Sequence, residues 1–442
     1  MSQWKKVKIG DFLKRKRIPV VLDETAKYKL LTVRLYHKGI VLREEKLGAL
    51  IKSNMFKVSK GDFILSGIDA RNGAFGIVPE ELDGAVVTND FWYFDIDESI
   101  IKREYFLWLT TTPIFLDACQ KASKGETQRI RLQKEAFFNY EINCPTIDYQ
   151  DEFLSTIASV IDNINELKKE TEKQTELVKQ LRANILQDAI EGKLTADWRE
   201  KHPVKKGNPD HDAQALFEKI QAEVSEAKST KKSLASISKD EIPFEIPTGW
   251  KWVRLGEICE GFMYGTSAKS LPSGKCPVLR MGNIQNGKID WEKLVYTNND
   301  EEIEKYLLKQ YDLLFNRTNS REMVGKTAIF ESTQKTIYAG YLVRFRPINS
   351  NPYFVNIVLN SKTHREWCNE VKTDALGQSN INAEKLKNFI TPLPPLAEQK
   401  EIVARVEKHL QTITQLETQI ATRETLTKQL MQGLLKDAFE ER

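Results

Sequence analysis

The C-terminal stretch Ala397–Glu441 reads AEQKEIVARVEKHLQTITQLETQIATRETLTKQLMQGLLKDAFEE. It follows Pro392, Pro394 and Pro395 and contains no proline itself. Apolar residues recur in it at steps of three and four, with charged, Gln and Thr residues between them, which indicates a long amphipathic helix with a coiled-coil-like seam. A helix that is apolar along one stripe needs a partner to cover that stripe. The predicted seam residues are Val406, Leu410, Ile413, Ile420 and Leu430.

A second proline-free stretch, Tyr149–Glu191, carries the same stripe and is predicted to be that partner. The two stretches align at a constant offset, because 430 − 181 and 399 − 150 both give 249 for the pairs Leu181/Leu430 and Gln150/Gln399. The sequence therefore predicts two copies of one unit, each a head followed by a long helix, with the helices antiparallel. The seam residues predicted for the first helix are Phe153, Ile157, Ile164, Leu181 and Ile185.

The residues before each helix are predicted to form an α+β head. In the first head, short β-rich runs such as Tyr28–Val33 and Phe91–Ile96 alternate with turn signals, and a helical stretch follows at Arg103–Lys121. The second head repeats these landmarks, including Trp252 for Trp4, while the residues between the landmarks differ. The predicted fold class is α+β, with two pseudo-repeated α/β heads separated by two long antiparallel coiled-coil-like helices.

The predicted boundaries follow from these patterns. Head 1 is residues 1–145, the first long helix 146–192, a polar linker 193–246, head 2 247–394 and the second long helix 395–442. One weak helix is predicted within the linker at Ala213–Glu226.

Composition excludes several classes of protein. With 40% hydrophobic and 29% charged residues, and no apolar run near 18 residues, the 442-residue chain is predicted to have no membrane span. Its start is not that of a secretory signal, and five scattered cysteines suit reduced thiols in a cytoplasm. The net charge is only +4, but Lys5–Arg17 is strongly basic. That segment is either a phosphate-contacting patch or a solvated basic edge.

Motifs for catalysis are missing from the sequence. It contains no Gly-rich phosphate loop and no Asn/Asp-Pro-Pro-aromatic motif of adenine methyltransferases, and its five histidines are scattered. Pro209-Asp210 followed by Glu226-Ala227-Lys228 mimics a nuclease pattern, but these residues fall in the polar linker rather than on rigid strands. The chain is therefore predicted to have no catalytic residue, no metal site and no cofactor of its own.

Three motifs occur here in a fixed order within the internal repeat. They are Asp188-Ala189-Ile190-x-Gly192-Lys193-Leu194-Thr195-x-x-Trp198-Arg199, Ile246-Pro247-x-Gly249-Trp250 and Leu393-Pro394-Pro395-Leu396-x-Glu398-Gln399. Together they resemble the DNA-specificity subunit of type I restriction–modification systems over essentially the whole chain. The opening of the first helix, Pro145-Thr146-Ile147-Asp148-Tyr149-Gln150, departs from the Pro-Pro-Leu-x-Glu-Gln form.

The resemblance implies a noncatalytic subunit that binds double-stranded DNA in a bacterial or archaeal cytoplasm. Each head would be a target-recognition domain for one half of a split sequence, and the helices would fix the gap between the halves. Two methyltransferase subunits and two motor-nuclease subunits would be its partners, and they would carry the S-adenosylmethionine, ATP and Mg. A coiled-coil protein–protein adaptor that does not read DNA directly remains the alternative.

Polar loops in both heads are predicted to contact DNA. Arg can pair bidentately with guanine, and Asn or Gln with adenine, in the major groove. Solvated polar loops, or helix capping by Ser379 or Thr127, remain open as alternatives. Trp92, Tyr93, Tyr338 and Tyr341 are predicted to be core aromatics. The predicted DNA-binding residues are Arg71, Asn72, Gln128 and Arg129 in head 1, and Arg280, Asn283, Asn316, Arg317, Asn319, Arg321, Gln378, Ser379 and Asn380 in head 2.

Overall fold

The structure, a computed structural model, describes residues 4–125, 130–226, 234–375 and 377–439. The chain divides into two compact units. Unit 1 is Met1–Glu172 together with Ala421–Arg442, and unit 2 is Lys173–Ile420. Each long helix therefore contributes residues to both units.

Head 1 contains four short helices and thirteen strands among its described residues. The helices are α1 (Ile9–Phe12), α2 (Arg103–Thr110), α3 (Pro113–Lys121) and α4 (Lys134–Phe138). The strands are β1 (Trp4–Lys8), β2 (Leu13–Lys16), β3 (Pro19–Val20), β4 (Lys27–Val33), β5 (Ile40–Leu47), β6 (Met55–Lys57), β7 (Phe63–Ser66), β8 (Phe75–Ile77), β9 (Val86–Val87), β10 (Phe91–Ile96), β11 (Ser123–Lys124), β12 (Arg131–Leu132) and β13 (Glu141–Pro145).

Two sheets organise head 1. One is antiparallel in the order β2-β10-β7-β8, and the other is mixed in the order β3-β6-β9-β4-β5, with β4 and β9 parallel. The helices cover one face of the antiparallel sheet through buried aromatic residues, and the rings of Phe63 and Phe106 meet edge to face at 4.8 Å. β1 and β13 pair separately at the point where the head joins the long helix.

The helical stretch predicted at Arg103–Lys121 is two helices, α2 and α3. Pro113 lacks an amide hydrogen, and its ring disfavours helical geometry at Thr112, so α2 ends and Pro113 starts α3 in its first turn. The prediction of one helix overlooked this proline.

The first long helix is α5 (Ile147–Ile190), and α6 (Ala196–Lys201) and α7 (Ala213–Glu226) follow it. α7 has the bounds that the sequence predicted. Ala213, Leu216 and Ile220 of α7 are buried, and Leu216 and Ile220 belong to the core of unit 2. Much of the predicted polar linker is therefore packed structure, because α7 is amphipathic and covers an apolar face of head 2.

Head 2 and the second long helix repeat the order of head 1 and α5. The helices are α8 (Leu255–Ile258), α9 (Asp300–Tyr306), α10 (Pro352–Val358), α11 (Lys362–Val371), α12 (Ala383–Asn388) and α13 (Leu396–Phe439). The strands are β14 (Lys251–Arg254), β15 (Cys259–Tyr264), β16 (Cys276–Leu279), β17 (Ile284–Gln285), β18 (Lys288–Ile289), β19 (Val295–Thr297), β20 (Leu313–Asn316), β21 (Thr318–Asn319), β22 (Thr327–Ile329), β23 (Ile337–Tyr338), β24 (Leu342–Pro347), β25 (Thr373–Ala375), β26 (Gln378–Asn380) and β27 (Ile390–Leu393).

Two sheets of head 2 match sheets of head 1, whereas head 2 has only the three-stranded sheet β19-β16-β23 and the pair β17-β18, among its described residues, to set against the five-stranded sheet of head 1. The antiparallel sheet β15-β24-β20-β22 corresponds to β2-β10-β7-β8, and the pair β14-β27 corresponds to β1-β13. Trp4 lies opposite Pro145, and Lys251 lies opposite Leu393. This register aligns Trp4 with Trp250, so that WKKVKIGD at 4–11 corresponds to WKWVRLGE at 250–257. The predicted match of Trp4 to Trp252 is therefore wrong.

The long helices run antiparallel within unit 2, as predicted. Arg182 Nη2 lies 3.1 Å from Glu417 Oε1, while Arg405, earlier in α13, donates to the carbonyl of Leu194, beyond the end of α5, at 2.7 Å. The buried stripe of α5 repeats every seven residues, as a coiled-coil seam does. It consists of Ile157, Ile164, Thr171, Val178 and Ile185, and α13 buries Val406 and Ile413 in the same way.

Two of the predicted seam residues lie off this buried stripe. Leu181 is 44% exposed and Leu430 is 53% exposed. The stripe steps from Val178 by four residues to Arg182, whose guanidinium pairs with Glu417, so Arg182 takes the position predicted for Leu181. Phe153, Leu410 and Ile420 are partly buried.

No helix among the described residues, the long pair included, combines the length and the apolar character that crossing a bilayer requires.

Candidate nucleic-acid interface

A small sheet joins the two predicted DNA-binding loops of head 2. β21, which follows Arg317, pairs antiparallel with β26, and Thr318 lies opposite Asn380 while Asn319 lies opposite Ser379. β25 completes the sheet. Polar residues that are about sixty positions apart in the sequence therefore form one surface, which we call the polar edge of head 2 (residues 317–321 and 377–380).

Arg317 is held in place at this polar edge. Its guanidinium lies over the ring of Tyr264 at 4.6 Å, its Nη2 donates to Asn380 Oδ1 at 3.3 Å, and its Nη1 donates to the carbonyl of Gly340 at 3.4 Å. The Tyr264 hydroxyl accepts from the amide of Ala383 at 3.0 Å, so the ring is fixed at its far end. In the described part of the chain, Arg317 has no carboxylate within 4 Å. The arrangement presents an oriented cation that no carboxylate of the described residues neutralises.

Other residues of the polar edge are accessible. Gln378 is exposed, Asn319 is half-buried, and the Arg321 side chain is 77% exposed with its Nε 3.6 Å from Asp374. Tyr341, predicted to be a core residue, is 46% exposed, and its carbonyl accepts from the amide of Arg317. Amide, guanidinium and aromatic groups in this combination can bind base edges or phosphates.

Three predicted DNA-binding residues are buried, which does not fit direct contact with DNA. Asn283 donates from Nδ2 to the carbonyls of Asp290 and Glu292 at 2.9 and 3.0 Å, so it closes a turn. Asn316 is fully buried beside the carbonyl of Met281.

Ser379 is the third, and its hydroxyl bonds to the Asp374 carboxylate. Ser379 does not cap the following helix. That cap is Asn382, whose side chain accepts from the amide of Lys385 at 2.8 Å. Asn380 is partly exposed, but both ends of its amide are used, by Arg317 and by the Thr318 hydroxyl.

Arg280 lines a cavity of about 390 Å³. Its Nη2 donates to the carbonyl of Lys293 at 3.3 Å, and Asp290 and Glu292 also line the cavity. Since Asp290 and Glu292 balance the charges of Arg280 and Lys293 in this cavity, Arg280 has weaker support as a DNA contact than Arg317.

The corresponding edge of head 1 has the same backbone and different side chains. The amide of Gly67 donates to Asp90 at 2.8 Å and its carbonyl accepts from Leu132 at 2.8 Å, as Arg317 does with Tyr341 and Ile381 at 2.9 Å each. Gly67 therefore occupies the position of Arg317.

Arg71 and Asn72 are the other predicted DNA-binding residues of head 1 that the structure describes. Arg71 and Asn72 form a short turn, where the Arg71 carbonyl accepts from Gln120 at 3.4 Å. Gln128 and Arg129, and Thr127 with them, lie outside the described residues.

Sequence reasoning missed the aromatic support of the polar edge. Tyr264 was not selected because it belongs to a strand far from Arg317 in the sequence. A weak signal existed in Tyr264-Gly265, an aromatic residue directly before a glycine that packs against the backbone of Tyr338 and Ala339.

The motifs that carried the family resemblance meet around Glu398. Its carboxylate is buried and accepts from the Thr195 hydroxyl at 2.7 Å, from Arg199 Nη1 at 2.6 Å and from Trp250 Nε1 at 2.7 Å. The third motif therefore supplies the carboxylate, and two residues of the first motif and one of the second bind it. These contacts anchor the start of α13 to head 2 and to the segment after α5.

The segment with the nuclease-like pattern has a structural role at Pro209 and Asp210. Their carbonyls accept from the amides of Leu396 and Ala397 at 3.1 and 3.2 Å, which caps the start of α13. Ala227 and Lys228 lie outside the described residues. No group of three His, Cys, Asp or Glu residues suited to a metal ion occurs within the described ranges.

Comparison with known proteins gives a consistent result. A family model of the type I restriction modification DNA specificity domain matches residues 1–177 and 247–423. The specificity subunit of a putative type I restriction enzyme, MjaX of Methanocaldococcus jannaschii, is 34% identical over 204 residues, which cover 44% of this chain and 48% of the relative. The EcoEI specificity subunit of Escherichia coli is 27% identical over 274 residues, which cover 59% and 45%. The chain thus spans about half the length of these curated relatives.

Solved structures show the same fold. A chain from a structural study of complex assembly and conformational transition of the type I R-M system superposes with a TM-score of 0.59 at 18% identity, covering 99% of this chain and 97% of that one. The HsdS subunit from Thermoanaerobacter tengcongensis superposes with a TM-score of 0.52 at 17% identity, covering 99% and 96%.

Proposed function

This chain belongs to the type I restriction–modification DNA-specificity family, and we propose that it is the noncatalytic subunit that selects the DNA sequence for a type I restriction–modification complex. Each head reads one half of a bipartite target. The paired long helices set the gap between the halves and dock the methyltransferase subunits.

The observation that carries this proposal is the repeated scaffold with unlike edges. Gly67 and Arg317 make equivalent backbone bonds at equivalent positions, yet one offers no side chain and the other offers a guanidinium over a ring. Two copies of one fold whose polar edges differ suit the reading of two different half-sites, because base readout depends on the side chains that reach the groove.

The partners follow from the same proposal. Two methyltransferase subunits carry S-adenosylmethionine and modify an adenine in each half-site, and two motor-nuclease subunits carry the ATP and Mg used in restriction. This chain contributes DNA binding and assembly, with no catalytic residue and no cofactor.

Expression of the chain with its methyltransferase partner in a methylation-free host, followed by methylome sequencing, tests the proposal. Adenine methylation at one split sequence with a fixed gap is the expected result. Exchange of residues 247–394 for the second head of a relative should then alter one half of that sequence and preserve the other. An unmodified genome despite a stably assembled complex would contradict DNA selection and favour the adaptor function.

Absence of catalysis is tested separately on the purified chain. Incubation with duplex DNA and labelled S-adenosylmethionine should transfer no methyl group until the methyltransferase subunit is added. Transfer by the chain alone would overturn its assignment as noncatalytic.

A further inference from the structure

Four basic residues, Lys14–Lys16 of strand β2 and Arg17 directly after it, fall into two kinds. Lys14 Nζ lies 2.9 Å from Asp97 Oδ2 and Lys16 Nζ lies 2.6 Å from Asp62 Oδ1, so both lysines are neutralised within the head. Arg15 and Arg17 have no carboxylate within 4 Å in the part of the chain that the structure describes. The alternation of a strand places the lysines and Arg15 on opposite faces.

Both arginines stand over aromatic rings. The Arg15 guanidinium lies 4.6 Å from the centroid of Trp92, and that of Arg17 lies 4.9 Å from the centroid of Phe56. Stacking on a ring orients a guanidinium without using its hydrogen-bond donors. The N–H groups of both guanidinium groups are therefore held in a fixed orientation, and no acidic side chain of the described residues accepts from them.

Trp92 links Arg15 to the edge that corresponds to the polar edge of head 2. A Cβ placed on Gly67 would lie 3.3 Å from Trp92 Nε1, so any side chain at this position would stand against the same indole that Arg15 covers. In head 2 that position is Arg317, whose guanidinium lies over Tyr264 at the same distance, 4.6 Å. Each head therefore holds a guanidinium–aromatic pair beside this position, but both the cation and the ring come from different strands in the two heads. Arg15 of β2 lies over Trp92 of β10, whereas Arg317 lies over Tyr264 of β15.

From this exchange we infer that Arg15 is the head 1 counterpart of Arg317 and binds a backbone phosphate of the DNA half-site that head 1 reads. The inference rests on the proposed function, because it takes duplex DNA as the ligand. Arg15 and Arg17 are two cations close together that no carboxylate of the described residues neutralises, and this favours a phosphate as the ligand. A phosphodiester oxygen accepts from a guanidinium in a charge-assisted hydrogen bond.

The electrostatics of the head agree with an anion at this place. Burial and the nearby charge of Arg17 both lower the pKa of Arg15, so the cation is less stable there than in water. A phosphate between the two guanidinium groups would remove this repulsion. Lys14 and Lys16 cannot take this role without breaking their ion pairs with Asp97 and Asp62.

Arg15→Gln, studied in the complex with the methyltransferase subunits, is the test. Binding is measured by titration with a duplex that carries the methylated sequence and with a scrambled duplex, between about 50 and 200 mM salt. We expect affinity to fall by about tenfold on both duplexes, since a charge-assisted hydrogen bond is lost. The slope of log K against log salt should become shallower by about 0.9, the value for one phosphate contact.

Two further variants separate contact from structure. Arg15→Lys keeps the charge and should retain the wild-type salt slope. Lys14→Gln removes a charge that Asp97 already neutralises, on the opposite face of the same strand, and should leave the slope unchanged. Thermal melting of each complex checks that the head stays folded.

The other outcomes overturn the inference. Selective loss of discrimination in one half-site would make Arg15 a base reader and not a phosphate ligand. Unchanged affinity and slope for Arg15→Gln would make the Arg15–Trp92 pair purely structural. In both cases the wild-type complex still binds its split sequence, whereas failure of the wild-type complex to bind either duplex would contradict the proposed function itself.

Discussion

The side-chain oxygen of Gln399 accepts a hydrogen bond from the backbone amide of Asn351 at 2.7 Å. Gln399 is fully buried in the first turns of α13, and its Nε2 donates to the carbonyl of Pro394 at 2.9 Å. One amide side chain thus ties the helix both to the head and to its own entering segment.

Gln150 forms the same contacts at the start of α5. Its Oε1 accepts from the amide of Lys102 at 2.7 Å and its Nε2 donates to the carbonyl of Pro145 at 3.0 Å. Both glutamines are fully buried, so each head is joined to its long helix by an equivalent set of bonds. The Gln150/Gln399 correspondence in the sequence therefore reflects the same hydrogen-bonded connection between head and long helix in both halves of the chain.

Gln399→Ala should destabilise the fold, because it leaves the Asn351 amide and the Pro394 carbonyl buried without this partner. We expect a loss of about 1–3 kcal/mol in the free energy of unfolding, measured by urea denaturation. Gln150→Ala should cost a similar amount in head 1. Gln180→Ala is the matched control, since Gln180 is exposed on α5 and its side chain donates to Glu176, within the same helix, at 3.2 Å. Its effect should stay within about 0.5 kcal/mol. Equal losses at all three positions would show that the buried glutamines between head and helix contribute no more stability than an exposed one.

Asn319→Ala and Gln378→Ala should relax sequence selectivity in the half-site read by head 2. If these amides reach base edges, each substitution should cost about 1–3 kcal/mol of binding to the cognate duplex and less on a duplex changed in that half-site. Fluorescence titration of the assembled complex measures both. Asn283→Ala serves as a contrast, because Asn283 is buried and closes a turn, so its loss should appear as reduced stability. Identical losses on cognate and altered duplexes would mean that the loops bind only the DNA backbone.

The repeat and the long helices could be predicted from the sequence, whereas the polar edge could be predicted only in part. Periodic apolar residues and proline stops located α5 and α13 to within a few residues, since both signals are local. The pairing of β21 with β26 is a long-range contact that no local pattern encodes. It decides that Asn319 stays accessible while Ser379 is buried.

Burial of polar residues was the main source of error. Asn283 and Asn316 look like loop residues because amides favour turns, yet in this fold their side chains bond to backbone carbonyls inside the head. The same limit applies to Leu181, since the choice between it and Arg182 for the seam depends on Glu417 in the opposite helix. Residue type indicates what a side chain can bind, and only the tertiary structure fixes what it meets.

His364 should make head 2 sensitive to acid. It is buried beside Trp367, and Cys368 Sγ lies 3.5 Å from its Nε2; burial lowers the pKa of His364 to about 3. Because this folded-state pKa lies below the ordinary value of about 6.5, the unfolded chain takes up the proton first as the pH falls. Protonation of His364 therefore leaves the free energy of unfolding unaffected above pH 6.5. Between pH 6.5 and about pH 3 it lowers that free energy, by about 2 kcal/mol at pH 5.

His364→Phe should remove this part of the acid dependence. Urea denaturation at pH 7 and pH 5 should show the wild type losing about 2 kcal/mol more than the variant over that interval. His409→Phe, at an exposed position of α13, is the control and should behave as the wild type. A variant whose acid dependence equals that of the wild type would show that His364 is not the responsible group.

A heptad inserted into both long helices should lengthen the gap between the half-sites. The buried stripe of α5 repeats every seven residues from Ile157 to Ile185, so seven extra residues after Glu172 keep it in phase. Arg182 pairs with Glu417. Continuing this antiparallel register by ten residues along each helix predicts Thr427 as the counterpart of Glu172, so we place the matching insertion there. Each helix gains about 10 Å, at ~1.5 Å per residue. Because DNA advances ~3.4 Å per base pair, methylome sequencing should find both half-sites unchanged and the gap longer by one to three base pairs.

A two-residue insertion at the same positions separates spacing from assembly. It turns the following stripe by roughly 200°, at 3.6 residues per turn, so Val178 and Ile185 would leave the seam. The complex should then lose methylation altogether, with exposed apolar surface and poor recovery on size-exclusion chromatography. The heptad variant keeps the seam, so its activity and its gap can be measured together. Full methylation at the original gap would show that the helices do not set the spacing, and the adaptor function would then account better for their length.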